Sequence, residues 1–369
     1  MKYYIIAGEA SGDLHGSNLI KALRTTDDLA DIRCWGGDLM QEAGGTLAKH
    51  YKDMAFMGFL EVLKNISTIF KNIDYCKKDI IAFQPDVLIF IDFSGFNLRI
   101  AKWAKQKGFR TSYYISPQVW ASRAKRVEKI KKYIDRMYVI LPFEKSFYKK
   151  HGYEVTFVGH PLLDAIANTP VKDFNVFCSE NNLENNKPII ALLPGSREQE
   201  VTKMLEIMLS VVPKFNDYQF VIAGAPSLDN TFYQNFLSKK NVFFVSNQTY
   251  SLLNHAHAAL VTSGTATLET ALFKVPQVVC YRGNWISYQI AKRIITLDYI
   301  SLVNLIMDKE VVKELIQADL NTHNLTSELA KILDGETREN LLREYEVLIE
   351  RLGGSGASEK TARLIVQNM

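Results

Sequence analysis

The 369 residues are 47% hydrophobic and 23% charged, an ordinary globular composition with more chain than one hydrophobic core usually serves, so two domains are expected. Lys and Arg number 44 against 40 Asp and Glu, a balance that points to no polybasic nucleic-acid arm and no acidic solvating protein. The basic character is concentrated in residues 99–150, which hold 15 Lys or Arg against 3 Asp or Glu.

Cys34, Cys76, Cys178 and Cys280 lie far apart without a C-x-x-C pair, which argues against a disulfide framework or a zinc site and for a reducing cytoplasm. The first residues offer one Lys and a short apolar run before Glu9 and Asp13, unlike a signal peptide. No run reaches the roughly 20 apolar residues a spanning helix needs, so a membrane role is expected to be peripheral.

In chain order, apolar runs at Tyr3–Ala7, Val87–Ile91, Ser112–Ile115, Met137–Leu141, Ile189–Leu193, Phe220–Ala223, Val242–Val245, Ala259–Thr262 and Gln277–Tyr281 read as strands. Most are continuous rather than alternating, as in parallel sheets buried on both faces. Helix-period stretches lie between them, among them Ser17–Arg24, Leu98–Gln106, Arg123–Tyr133, Glu198–Val211 and Ala266–Phe273, giving repeated β-α units. The expected fold class is α/β, two Rossmann-like doubly wound domains with C-terminal helices. The expected boundaries are 1–171, an Asn-rich linker at 172–187, a second domain at 188–336, and helices in 337–369 that pack back on the first domain or on a partner subunit.

The first strand runs into GEASGD, where Gly8, Ser11 and Gly12 let backbone approach a ligand while Glu9 and Asp13 repel a bare phosphate. A hydroxyl-rich sugar suits such a turn; the alternative is a tight strand-to-helix connection with Asp13 as N-cap. Met54–Ile73 carries an apolar helical stripe with Phe56, Met57, Phe59, Leu60 and Leu63 at one end. It reads either as a core-facing helix or as an exposed lip for acyl chains and lipid. The basic stretch 99–150 has the same two readings, solvated helix faces or a field for anionic headgroups.

Asp92 follows the strand VLIFI, at the end where ligands meet open α/β sheets, and is either an N-cap or a general base. In LLPGSREQE, Gly195 and Ser196 present amides at a helix start and Arg197 adds a charged fork, a combination suited to a diphosphate. VTSGTATLETAL repeats the device with Ser263, Gly264, Thr265 and Thr267, and Glu269 lies one turn in, where a carboxylate can take both hydroxyls of a ribose. Two such helix starts point to a nucleotide diphosphate. Ser116 and His160 join the first-domain cleft set, although a residue like His160 more often satisfies a loop backbone; His255 and His257 share no helix face, and no metal is assigned.

These blocks, together with MGFLEVL, YYISPQVWA, LPFEKSFY, FVGHPLLD and YISLVNL, resemble the bacterial lipid-A-disaccharide synthases along nearly the whole chain. The resemblance implies a GT-B arrangement, two Rossmann-like domains facing across a cleft. It implies an inverting, metal-independent transfer from UDP-2,3-diacylglucosamine to 2,3-diacylglucosamine 1-phosphate, giving a β-1,6-linked disaccharide and UDP. No cofactor and no nucleic-acid partner are expected. Asp92 matches the family's catalytic Asp, Arg197 and Asn304 match positions tied to activity and donor binding, and Tyr281 and Arg282 extend the UDP-sugar set. Where the family often has a second Asp, this chain has Gly95. Attachment to the cytoplasmic face of the inner membrane and a homodimer through the C-terminal helices are further expectations. The rivals are a UDP-N-acetylglucosamine 2-epimerase-like enzyme and a non-catalytic nucleotide-sugar-binding protein.

Overall fold

The computed structural model describes residues 1–53, 66–122, 124–238, 240–283 and 298–369, and these form two compact units. One comprises Met1–Ala167 and Leu352–Met369, the other Asn168–Arg351.

The first unit is built on seven parallel strands: β1 Lys2–Ala7, β2 Asp31–Gly36, β3 Thr46–His50, β4 Val87–Ile91, β5 Arg110–Tyr114, β6 Arg136–Val139 and β7 Thr156–Phe157. Their order in the sheet is β3-β2-β1-β4-β5-β6-β7. Tyr3–Ala7 and Leu88–Ile91 are entirely buried, as continuous apolar strands between two helical layers must be. Sequence order reverses between β1 and β4, whose last residues, Ala7 and Ile91, are register partners. The loops that follow them therefore leave side by side.

The second unit repeats the plan with β8 Ile189–Leu193, β9 Gln219–Gly224, β10 Val242–Ser246, β11 Ala256–Thr262, β12 Gln277–Tyr281 and β13 Lys313–Ile316, ordered β10-β9-β8-β11-β12-β13. Here the reversal falls between β8 and β11, where Leu193 pairs with Val261. Both units are thus doubly wound and Rossmann-like.

Four strands escape the sequence reading. β3, β7 and β13 are sheet edges, half-exposed or only two residues long, and β2 is broken by Arg33, whose guanidinium leaves the core to grip both oxygens of Asp79 at 2.8 and 2.6 Å. The Asn-rich stretch 172–187, read as a linker, holds the helix Phe174–Glu180, capped by Asp173, whose Oδ1 accepts the Asn175 amide at 2.9 Å. Phe177, Cys178 and Leu183 join the core of the second unit. The tail read as one piece divides at Leu352: Gly335–Arg351 belongs to the second unit and Ala357–Gln367 to the first. Asp164 caps the latter helix, accepting from the amides of Gly356 at 2.6 Å and Ser358 at 2.9 Å. Leu341, Tyr345 and Leu348 on the one helix, and Ala357, Ala362 and Ile365 on the other, are buried within the chain, so these apolar residues need no partner subunit.

Of the Met54–Ile73 stripe, Phe56, Met57, Phe59, Leu60 and Leu63 lie outside the described residues. The helix Ile66–Phe83 takes up its end: Ile73 is buried, Ile69 packs against the core, and Phe70 is 57% exposed. Among the described residues no helix is long and apolar enough to cross a membrane.

Candidate active site

The chemistry-bearing loops of the first unit gather where β1 and β4 end. Asp92 and Phe93 both adopt positive φ, +41° and +44°, before the helix Ser94–Gln106 begins. Two consecutive non-glycine residues in the left-handed region are strained, and such strain persists only where surroundings enforce it. Enforcement is visible. The buried Asn97 amide donates to the carbonyls of Asp92 at 2.9 Å, Ile91 at 3.2 Å and Ile6 at 3.4 Å, tying the ends of β1 and β4 together. The Tyr113 hydroxyl, from β5, also donates to the Asp92 carbonyl. Gly8 admits the Phe93 ring, which a Cβ there would meet at 2.3 Å.

This frame leaves the Asp92 carboxylate open to solvent yet surrounded by protein. Desolvation, reinforced by the Glu9 carboxylate, pushes its pKa up to about 6, against an opposing hydrogen bond from the Phe93 amide. It is therefore mainly ionised at neutral pH but more basic than an ordinary aspartate, the range in which a carboxylate serves as a general base. Glu9 is exposed at the N-cap of the helix Ala10–Thr26 without a side-chain hydrogen bond to it. Ser11 is exposed in the first turn, and Gly12 is buried against Ala7.

Asp13 has a different task from either one expected of it. Its carboxylate accepts the amides of Gly37 at 2.7 Å, Met40 at 3.0 Å and Leu39 at 3.2 Å, so it caps the neighbouring helix Asp38–Glu42 and not its own. Ser116 and His160 are likewise engaged internally. The Ser116 hydroxyl lies 2.6 Å from that of Tyr148, and His160 Nδ1 accepts the Leu162 amide at 3.2 Å. Burial drives the His160 pKa down to about 3, and the neighbouring His15 adds to the shift. Gly95 faces open space, with nothing within 4 Å of where a Cβ would stand.

Sequence reasoning missed one buried acid here. Glu144, at the third position of the helix Pro142–Lys150, accepts the amides of Leu141 at 2.9 Å and Ile140 at 3.2 Å. Desolvation nevertheless pushes its pKa up to about 7. The Pro followed two residues later by Glu is the N-terminal helix signal that could have located it.

In the second unit the loops after β8 and β11 are built from glycine, hydroxyl residues and one arginine. Gly195 has φ +105°, and a Cβ there would strike the Glu200 carboxylate at 2.8 Å. Arg197 is exposed as the N-cap of the helix Glu198–Met208, with no side-chain cap bonded to the helix amides. Ser227 fastens the loop by donating to the Ser196 carbonyl at 2.8 Å. Gly264, with φ +146° and open space around it, is the N-cap of the helix Thr265–Leu272, again without a side-chain cap. Two uncapped helix starts on adjacent strands thus carry the partial positive charge that suits phosphate oxygens.

Not every hydroxyl expected to face a ligand does so. Thr267 is buried and donates to the Gly264 carbonyl at 2.8 Å, while Ser263 donates to the Ile300 carbonyl at 3.0 Å; Thr265 is exposed. Asn304 is entirely buried and its side chain is fully used: Nδ2 donates to Val312 O and Glu314 Oε1, each at 2.9 Å, and Oδ1 accepts the amides of Val311 and Val312. Glu314 in turn accepts from the amides of Ile300 at 3.0 Å and Ser301 at 2.9 Å. Asn304 thus reaches the loop after β11 indirectly, through Glu314, the Ile300 backbone and Ser263. Tyr281 is half-buried, and Arg282 donates to the Leu320 carbonyl. Glu269 is half-buried with its Oε1 accepting the Tyr250 hydroxyl at 2.8 Å. Among the described residues no cluster of three or more His, Cys, Asp or Glu is arranged to hold a metal ion.

Comparison with known proteins places this geometry in context. A family model described as lipid-A-disaccharide synthetase matches residues 3–367. The lipid-A-disaccharide synthase of Syntrophus aciditrophicus is 39% identical over 366 residues, covering 97% of this chain and 95% of that protein. That of Coxiella burnetii is 37% identical, covering 98% and 96%. In fold, the chain is similar to UDP-GlcNAc 2-epimerase from Neisseria meningitidis bound to UDP-GlcNAc, with a TM-score of 0.66, 13% identity and coverage of 100% and 99%. At that identity the likeness concerns fold alone.

Proposed function

The chain belongs to the lipid-A-disaccharide synthase family, and from that premise we propose how its residues divide the work of an inverting glycosyl transfer. The substrates in this reading are UDP-2,3-diacylglucosamine and 2,3-diacylglucosamine 1-phosphate. The observation that carries it is Asp92: a carboxylate of raised basicity, held in a strained turn at the sheet's reversal point.

In the proposed step the acceptor's 6-hydroxyl attacks the anomeric carbon. Its O–C bond forms as the bond from that carbon to the UDP oxygen breaks on the opposite face, which inverts the configuration. Asp92 takes the hydroxyl proton and later releases it to solvent. Glu9 keeps Asp92 basic, Gly8 makes room for the Phe93 ring that shapes the turn, and the exposed Ser11 is available to the acceptor. On the departing UDP, negative charge grows on the diphosphate, where Arg197 and the amides of Gly195, Ser196, Gly264 and Thr265 offset it. Glu269 takes the ribose. Asn304, Ser263 and Thr267 support the loop from within, and Tyr281 and Arg282 flank it.

The test is incubation with both acylated sugars in detergent, following lipid disaccharide and UDP by mass spectrometry. Stoichiometric formation of both supports the reading. UDP release without disaccharide, or conversion of the donor into its C2 epimer, overturns it. The epimerase alternative is not favoured: it rests on fold likeness alone, whereas relatives at 36–39% identity are synthases by name.

We also propose peripheral attachment to the cytoplasmic face of the inner membrane. Its support is the apolar run from Phe56 to Leu63, the exposed Phe70, and the basic stretch 99–150. Replacing Phe59 and Leu60 with Ser should lower binding to anionic vesicles without lowering Tm, and salt should weaken what remains. Unchanged vesicle binding at every salt concentration would refute the attachment.

A further inference from the structure

We propose that Tyr250 is a positioning residue that makes the nucleotide site selective for ribose over deoxyribose, by orienting the Glu269 carboxylate toward the sugar's 2′-hydroxyl. The inference rests on the proposed nucleotide site and adds a residue that the sequence reading did not single out.

The two side chains come from neighbouring connections of the second unit. Tyr250 lies in the helix Thr249–His255, which follows β10, and Glu269 in the helix Thr265–Leu272, which follows β11. Tyr250 donates to Glu269 Oε1 at 2.8 Å, and its ring packs on Phe273, 5.1 Å between centroids, so the hydroxyl is presented from a fixed ring. Phe273 itself packs against the core of the unit. Glu269 Oε2 has no partner among the described residues. Among the described residues one oxygen is held and the other is not.

A carboxylate on a mobile side chain loses rotamer freedom when it binds a diol; one already held by a hydrogen bond has lost it beforehand. The hydrogen bond also acts on charge. Burial raises the Glu269 pKa from its ordinary value, and donation from Tyr250, the titratable group facing it among the described residues, works in the opposite direction. Burial, with the charge of Glu269, holds the Tyr250 hydroxyl protonated and hence a donor. Without that hydroxyl Glu269 gains a proton more readily, and a protonated acid is a poorer acceptor for a sugar hydroxyl.

A site built to accept a hydroxyl discriminates against the analogue that lacks it, because its own polar atom is then unpaired. Calorimetric titration of UDP and 2′-deoxy-UDP into the wild type, Tyr250→Phe and Glu269→Gln, at pH 8 and pH 5.5, tests each part separately. The wild type should prefer UDP by about tenfold, from one hydrogen bond to a charged acceptor. Tyr250→Phe retains the ring and its packing, and should lose about threefold to tenfold in UDP affinity with little change for 2′-deoxy-UDP, the loss growing at pH 5.5. Glu269→Gln should lose the preference at both pH values. If Glu269→Gln loses it while Tyr250→Phe keeps wild-type affinities, or weakens both nucleotides equally, the role of Tyr250 is refuted and the ribose site stands. If Glu269→Gln retains the preference, the ribose site itself is refuted.

Discussion

At the β1/β4 junction the first unit places two carboxylates, Glu9 and Asp92, around a backbone strained at two non-glycine residues; at the matching β8/β11 junction the second unit places Gly195, Gly264 and Arg197 around helix starts without side-chain caps. The topology is shared and the chemistry is opposite. The Glu9 carboxylate adds to the proton affinity of Asp92, which suits a group proposed to accept a proton. Glycine at positive φ costs no side-chain strain and lets amides approach an anion, which suits a group that must be held. A doubly wound sheet thus supplies a place, and the residues at its reversal point decide what happens there.

The largest effect is expected from removing the Asp92 carboxylate while preserving its shape. Asp92→Asn should lower kcat by about 10²–10⁴-fold, the range for loss of a general base, and leave UDP affinity unchanged. The wild-type rate should rise with pH through an acid limb near 6, because Asp92 must lose its proton before it can accept one, and that limb should vanish in the variant. A variant with normal turnover would remove Asp92 as the base.

Disturbing the strained turn without touching the acid comes next. Gly8→Ala drives a methyl into the Phe93 ring and should cost up to about a hundredfold in kcat with UDP binding intact, since misplacing a catalytic group by an ångström has that scale. Wild-type kcat would show that the turn tolerates displacement. On the other side, Arg197→Ala should weaken UDP binding by about tenfold to a hundredfold, as hydrogen bonds to charged groups do. Undiminished affinity by calorimetry would take Arg197 out of the diphosphate site. The smallest effect is expected from chelation. Residues 188–336 contain no Asp-x-Asp pair, and Arg197 with two helix starts is available for the diphosphate charge, so EDTA should leave the rate unchanged. Loss restored by Mg²⁺ or Mn²⁺ would contradict this.

Continuous apolar runs made the central strands readable, because a strand buried on both faces leaves no polar residue to obscure it. β2, β3, β7 and β13 were not: Arg33 on β2 and Glu314 on β13 are there for reasons located elsewhere, one gripping Asp79 and the other holding the Ile300–Ser301 backbone, and β7 is only two residues long. The same limit applied at the site. Asp92, Arg197 and the glycines announce themselves by their place after a strand. Asp13, Asn304 and Thr267 have the residue types of ligand-binding side chains but spend their hydrogen bonds on the protein's own backbone, which local pattern does not reveal. Asn97 and Tyr113, which hold the Asp92 carbonyl, read from the sequence as ordinary helix and strand residues.

The division of the chain bears on the order in which the molecule is made. Asn168–Arg351 is one uninterrupted stretch, so the second unit has all its parts once Arg351 has emerged from the ribosome. The first unit, begun earlier, must wait for Leu352–Met369, whose helix is capped by Asp164 and supplies buried Ala357, Thr361, Ala362 and Ile365. During synthesis the loops after β8 and β11 therefore precede the finished surroundings of Asp92. A nascent chain arrested short of Leu352 would hold all of the second unit but an incomplete one around Asp92, so translation itself delays the competence to transfer sugar.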